Sequence, residues 1–166
     1  MYKIAIIGLG YIGLPLAIEF SKKYKVVAFD INLKRIKELQ NNYDITNEIS
    51  KEILKKSQNI IFDYKQTLLS DCNIYIIAVP TPVDKKNNPD LNFIKHSTKI
   101  IGKFLKKNDL VIYESTVYPG FTEEICIPIL EKTSKLSHNK DFFSGYSPER
   151  INPGDKKKNL SNITKI

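Results

Sequence analysis

The sequence is poor in the residues that staple or anchor a chain. It holds two cysteines and two histidines in 166 residues. Cys72 and Cys126 fall in no spacing motif, which excludes a disulfide framework and leaves no metal-ligand pattern. One precedes a strand-like run and the other lies in a helical pattern, so both read as small buried hydrophobes, and a reducing cytoplasm fits them. Long apolar runs are also missing. The uncharged stretch from Ile4 to Ile18 is broken by three glycines and a proline, and it is shorter than the roughly 18 residues of a membrane span. No export signal, membrane partner, internal repeat or low-complexity segment is legible. Basic residues outnumber acidic ones, 26 to 18, for a net charge of +8. The lysines come as pairs between structural segments, with no basic helix and no aromatic–basic interleaving, which argues against a nucleic-acid partner. What the charge offers is a field that gathers anionic ligands.

What is present is a soluble globular composition, 42% hydrophobic and 27% charged, in a length that suits one domain with a real core. The most informative stretch is Lys3 to Ala17. A short apolar run, Ile4 to Ile7, leads into Gly8-Leu9-Gly10-Tyr11-Ile12-Gly13, and an apolar helical pattern follows. This is G-x-G-x-x-G placed after a strand and opening a helix, the context in which it binds a dinucleotide. Gly8 permits the tight turn, Gly10 lets a pyrophosphate approach the backbone, and Gly13 lets the helix sit close on the strand. The helix start attracts the phosphates. A glycine-rich turn alone is weak evidence, being common in α/β proteins. Asp30, at the end of a second strand (Lys25 to Phe29), strengthens it. A carboxylate there accepts hydrogen bonds from the adenosine ribose and repels a 2′-phosphate, which selects NAD.

Further along, Asn32 is a plausible N-cap for a helix over Leu33 to Gln40, and Thr46 or Asn47 for another whose apolar stripe is Ile49, Ile53 and Leu54. Ile60 to Phe62 reads as a short strand, and Asn73 to Val79 as a central strand covered on both faces. Pro80-Thr81-Pro82 stops it. Leu91 to Leu105 reads as a helix, Leu110 to Tyr113 as a buried strand ending at Glu114-Ser115-Thr116. Pro119 starts the next helix, which Pro128 bends. Thr133 to Lys140 reads as polar linker, and Phe142 to Gly145 as a last strand running into Ser147-Pro148-Glu149-Arg150. The alternation predicts a Rossmann-type α/β fold: a doubly wound, mostly parallel sheet with helices on both faces. Ligands bind beyond the carboxyl ends of such strands, and the unusual sequences fall there.

Those strand ends, taken in order, resemble the UDP-glucose/GDP-mannose dehydrogenase family. The matching stretches are GLGYIGLPLA, AFDIN, VPTP, ESTVYPG and GYSPERINPGD; with YDITNEI, the last two look most like the branch acting on UDP-N-acetylhexosamines. The resemblance covers essentially all of the chain. It implies an NAD-dependent, four-electron oxidation of a sugar C6 alcohol to a carboxylate, through a thioester on a cysteine. That cysteine, with an assisting lysine and asparagine, belongs to a second, sugar-nucleotide domain beyond Ile166; neither Cys72 nor Cys126 matches it. Residues 1–166 are then a single NAD-binding domain without the connecting helix and second domain, inactive alone. The longer protein is expected to be a cytoplasmic homodimer supplying polysaccharide precursors.

Carried over residue by residue, Gly8, Gly10, Tyr11, Ile12 and Gly13 match the pyrophosphate turn and Asp30 the ribose acid. Arg35 matches a basic residue beside the adenosine, and the bland alternative is a solvated helix arginine. Thr81 and Pro82 match the lining near the nicotinamide-side ribose, although prolines there also simply end a strand. Ser115 and Thr116 match the segment at the nicotinamide end, with the Thr116 hydroxyl positioning a water or substrate hydroxyl; as isolated residues they also read as helix caps. Glu149 matches the general base of thioester hydrolysis, or else is a surface glutamate paired with Arg150. Arg150 is a candidate for substrate contact. Where UDP-glucose dehydrogenases carry a second acid four positions on, this chain has Pro153, which favours an acetylated sugar. Two other readings stay open: another Rossmann hydroxyacid dehydrogenase, which leaves ESTVYPG and SPER unexplained, and a free-standing NAD-sensing module.

Overall fold

The computed structural model describes residues 2–86 and 88–148. Within them lies one six-stranded sheet, every neighbouring pair parallel. The strands are β1 (Lys3–Ile7), β2 (Lys25–Phe29), β3 (Ile60–Asp63), β4 (Ile74–Ile77), β5 (Leu110–Tyr113) and β6 (Phe143–Tyr146), in spatial order β3-β2-β1-β4-β5-β6. Helices α1 (Gly13–Ser21), α2 (Leu33–Gln40), α3 (Lys51–Lys56), α4 (Asn92–Gly102) and α5 (Ile127–Ser134) connect them.

The two-residue period of the strands divides the core in two. Ile4 and Ile6 of β1, Val26 and Ala28 of β2 and Ile76 of β4 face one side, packing with Leu14 and Ala17 of α1, Ile36 and Leu39 of α2 and Leu54 of α3. Ala5 and Ile7, Val27 and Phe29, Tyr75 and Ile77, and Val111 and Tyr113 face the other, against Ile94, Ile100 and Ile101 of α4 and Leu130 of α5. Because both faces of β1, β2 and β4 are covered, these strands are nearly continuous in apolar residues rather than alternating. Cys72 and Cys126 are both buried, as expected of small hydrophobes. The expected fold is therefore the observed one, and its strand order reverses between β1 and β4, where α1 and α4 lie on opposite faces and open a crevice.

Local departures have identifiable causes. Neither Thr46 nor Asn47 caps α3. The cap is Ser50, whose hydroxyl accepts the Ile53 amide, because Asp44 takes the preceding turn for itself, as described below. Ile53, expected on the inner stripe, is exposed. The segment before β4 forms a 3₁₀ turn over Gln66–Asp71, and β4 is shorter than the apolar run that contains it. Pro128 lies within an unbroken helical run over residues 121–134. It sits in the first turn of α5, and the backbone ahead of it widens into a π turn over Thr122–Cys126. The wide turn absorbs the missing proline N–H. The stretch read as linker after Thr133 is ordered by Asp141, which accepts the Ser137 amide, and by Glu131, which accepts the His138 amide.

Candidate functional site: the crevice at the strand ends

β1 ends at Ile7, and the chain turns sharply at Gly8, whose φ of +93° suits glycine. A side chain there would also strike the Ala78 carbonyl at 2.8 Å. Gly13 opens α1 so close beneath the turn that a Cβ would lie 1.8 Å from the Gly8 carbonyl oxygen. These two glycines are demanded by packing. Gly10 differs: a Cβ there would meet nothing within 4 Å, so its bareness serves no contact of the chain itself. The α1 N-terminus has no side-chain cap at Ile12 and no acidic residue in its first turn, leaving the positive end of its dipole for an anion.

Asp30 follows β2 directly. Its Oδ2 accepts the Leu9 amide at 2.9 Å and its Oδ1 the Asn32 amide at 2.8 Å, so the carboxylate is oriented by the turn and by the start of α2. Each oxygen keeps a lone pair for a second donor. Asn32 caps α2 as the sequence predicts, accepting from the Lys34 and Arg35 amides.

Arg35 overturns the reading of a solvated helix arginine. It is 7% exposed. Its Nε donates to the Leu9 carbonyl at 2.8 Å and its Nη2 to Asp44 Oδ1 at 2.7 Å. Asp44, also buried, accepts in addition the Thr46 amide and hydroxyl at Oδ1 and the Glu48 and Ile49 amides at Oδ2. Burial pushes this carboxyl's pKa up, but the hydrogen bonds from Thr46, Ile49 and Arg35 outweigh it and hold the group below the usual carboxylate range. The third corner of the guanidinium, Nη1, is buried and has no hydrogen-bond partner among the described residues; Glu38 Oε2 lies 3.9 Å away.

These groups line a crevice of about 450 Å³. Gly8, Gly10, Asp30 and Arg35 line it. Pro80 and Val79 represent the end of β4 in place of Thr81 and Pro82. Tyr11, half exposed, and Ile12 and Gly13 form the turn beside it without lining it. Several lining residues were not anticipated: Ile31, Ile45 and Thr46 on one side, Phe93, His96 and Ser97 of α4 on the other. Ile31 was within reach, since it follows Asp30. Thr46 comes from a loop and Phe93 from the first turn of α4, and no local pattern announces the approach of either. A separate depression over α2 is lined by Leu33, Lys34, Lys37, Glu38, Asn41 and Tyr43.

At the end of β5, Ser115 is buried and its hydroxyl donates to the Val79 carbonyl at 2.7 Å, joining the ends of β5 and β4. It caps no helix. Thr116, next to it, is exposed. Glu149 and Arg150 lie outside the described residues. No group of three or more metal-ligating side chains exists among the described residues, and no helix there is long and apolar enough to cross a membrane.

The residues fit a dinucleotide on three counts: open space over Gly10, an uncapped helix start, and the Asp30 carboxylate, oriented by two backbone amides at the crevice, set for a ribose. Fold and site together define a dinucleotide-binding domain of the Rossmann class. Residues 2–166 match the model of the UDP-glucose/GDP-mannose dehydrogenase family, NAD binding domain, and the chain belongs to that family, with NAD as its cofactor. It is 54% identical to the UDP-N-acetyl-D-glucosamine 6-dehydrogenase of Pseudomonas aeruginosa over 99% of its own length and 39% of the relative's. It is equally similar to Protein CapL of Staphylococcus aureus, over 98% and 38%. Among solved structures, the UDP-D-ManNAc dehydrogenase of Pyrococcus horikoshii superposes with a TM-score of 0.83 at 35% identity, covering 92% of this chain and 37% of that one. The chain thus spans about two fifths of the relatives it matches.

Proposed function

We propose that this chain is the cofactor half of an NAD-dependent nucleotide-sugar 6-dehydrogenase that oxidises the C6 alcohol of a UDP-N-acetylhexosamine to a uronate, a precursor for polysaccharide. The observation that carries the reading is the oriented carboxylate of Asp30 beside the bare backbone of Gly10, in a chain 54% identical to an enzyme of that name. NAD, when bound, supplies the hydride acceptor for both two-electron steps. The chain's own residues bind and orient. Gly10 and the start of α1 hold the pyrophosphate, Asp30 takes the ribose hydroxyls, and Thr81 and Pro82 flank the far ribose. Thr116, exposed one residue beyond the buried Ser115, presents a hydroxyl that positions the substrate alcohol or a water. Glu149 takes a proton from the water that hydrolyses the acyl intermediate, and Arg150 contacts the substrate.

In this reading residues 1–166 are one domain, and a connecting helix and a sugar-binding domain complete a cytoplasmic homodimer. The deciding experiment is oxidation of a panel of UDP-sugars by the full-length protein with NAD. Turnover of UDP-N-acetylglucosamine or UDP-N-acetylmannosamine above UDP-glucose is expected; failure to oxidise any of them sinks the proposal. In the same protein Glu149→Gln is expected to accumulate acyl-enzyme, and a normal steady-state rate without accumulation removes Glu149 from the mechanism.

A further inference from the structure

A single hydrogen-bonded chain runs from the ribose carboxylate to the wall of the crevice. Asp30 Oδ2 accepts the N–H of Leu9, and Arg35 Nε donates to the C=O of the same residue. The two peptide groups that flank Leu9, between Gly8 and Gly10, are therefore each held by a charged side chain, one carboxylate and one guanidinium. Arg35 then continues through Nη2 to Asp44, and Asp44 gathers four donors from Thr46, Glu48 and Ile49. Between Asp44 and Ile49 stand Ile45, 54% exposed, and Thr46, both lining the crevice opposite Phe93 and His96 of α4. Glycines on both sides of Leu9 leave the turn with little stiffness of its own. The loop after α2 has no regular structure before Ser50. The arginine ties one to the other.

We propose that Arg35 and Asp44 are positioning residues for the cofactor. Arg35 fixes the direction of the Leu9–Gly10 peptide against which the pyrophosphate rests, and Asp44, through Arg35, holds the 44–49 loop as the outer wall of the adenosine half. The inference rests on the reading of the crevice as an NAD site, and it adds residues that act without touching the reacting atoms. Guanidinium geometry matters here. Its planar fork reaches two acceptors in different segments at once, which a lysine ammonium at the end of a flexible stem does not reproduce. Pre-organisation is the physical gain: a turn and wall already fixed lose less freedom when the nucleotide arrives.

The test uses the purified chain and two ligands, NAD and ADP-ribose, which share the adenosine and pyrophosphate. In Arg35→Met/Asp44→Leu the buried pair is replaced by apolar side chains of similar size, which avoids a lone buried charge but leaves the Leu9 carbonyl and the amides of Thr46, Glu48 and Ile49 without those partners. Calorimetry, run below the lowered melting temperature that the lost loop hydrogen bonds imply, is expected to give about tenfold weaker binding of both ligands. Amide exchange at Leu9 is expected to speed up in the absence of ligand. Arg35→Lys, which keeps the charge, is expected to weaken both ligands by about threefold. Ile45→Ala, at an exposed position, is expected to weaken them to a similar extent with no loss of stability. If the double variant fails to fold, Arg35→Lys and Ile45→Ala decide: affinities of both within experimental error of the unsubstituted chain overturn the proposal. A folded double variant that binds ADP-ribose as tightly as the unsubstituted chain, with unchanged Leu9 exchange, also overturns it and leaves the cofactor reading intact. Absence of NAD binding by the unsubstituted chain overturns the cofactor reading and this inference together.

Discussion

Asp30 and Leu9 are joined before any nucleotide arrives: the carboxylate Oδ2 accepts the Leu9 amide at 2.9 Å. The group expected to hold the ribose is thus also a strut of the phosphate turn, and removing it loosens both. Asp30→Ala is expected to lower NAD affinity by roughly 10- to 100-fold, the loss of charge-assisted hydrogen bonds. It is expected to narrow the preference for NAD over NADP, since the repulsion of a 2′-phosphate goes with it. Titration calorimetry with both nucleotides checks this, and unchanged affinity for both removes Asp30 from the site.

Gly10 and Gly13 separate ligand binding from folding. Gly10→Ala meets nothing in the chain, so its melting temperature should match that of the unsubstituted chain while NAD binding falls by about tenfold or more as the methyl group takes the space of the pyrophosphate. Gly13→Ala drives a Cβ into the Gly8 carbonyl and is expected to cost roughly 3 kcal/mol or more of stability. Thermal melts with and without NAD distinguish the two.

Ser115 gives a structural prediction at a position the family resemblance assigns to the cofactor. Its bond to the Val79 carbonyl joins two strand ends, so Ser115→Ala is expected to lose about 1 kcal/mol, a fall of about 2–4 °C in melting temperature. A larger effect on NAD affinity than on stability would instead favour a direct contact.

Asp44 sets a pH dependence. Its native pKa is below the ordinary 3.8, because the hydrogen bonds from Thr46, Ile49 and Arg35 outweigh burial. A carboxyl lowered on folding contributes stability that is fully present above its unfolded pKa and is lost as pH falls through the native one. Asp44→Asn is therefore expected to cost roughly 3 kcal/mol at pH 7, where it leaves Arg35 buried without its counter-charge. The difference should shrink below pH 3.8. Urea unfolding at pH 7 and pH 3 measures it; an equal difference at both values rules out the ionised pair as its source.

The cysteines should be inert. Burial pushes Cys72 up to about 11 and raises Cys126 as well, so at pH 8 the thiolate is scarce and shielded. Iodoacetamide is expected to label neither in the native chain and both after unfolding, as mass spectrometry would show. Rapid native labelling of either would contradict the buried, structural role.

The sequence by itself determined the architecture and the ends of the site. The alternation of apolar runs fixed which segments are strands, and chemistry at single positions marked Gly8, Gly10, Gly13 and Asp30, because strand periodicity, the tight turn and the ribose acid are local properties. Asn32 was legible as a cap for the same reason. Arg35 was ambiguous, because whether a helix arginine is solvated or buried depends on what packs over it. Thr46 looked like a helix cap because a short hydroxyl before an apolar stripe usually is one; Asp44, two residues earlier, accepts its amide and hydroxyl in a local turn and leaves the cap to Ser50, while the fold adds Arg35 to that carboxylate. Tertiary structure set Val79 and Pro80 in the crevice lining, with Thr81 and Pro82 following just beyond it, and turned Ser115 from a cap into a bolt between strands. These outcomes depend on contacts between segments far apart in sequence, whose energies the local pattern does not contain.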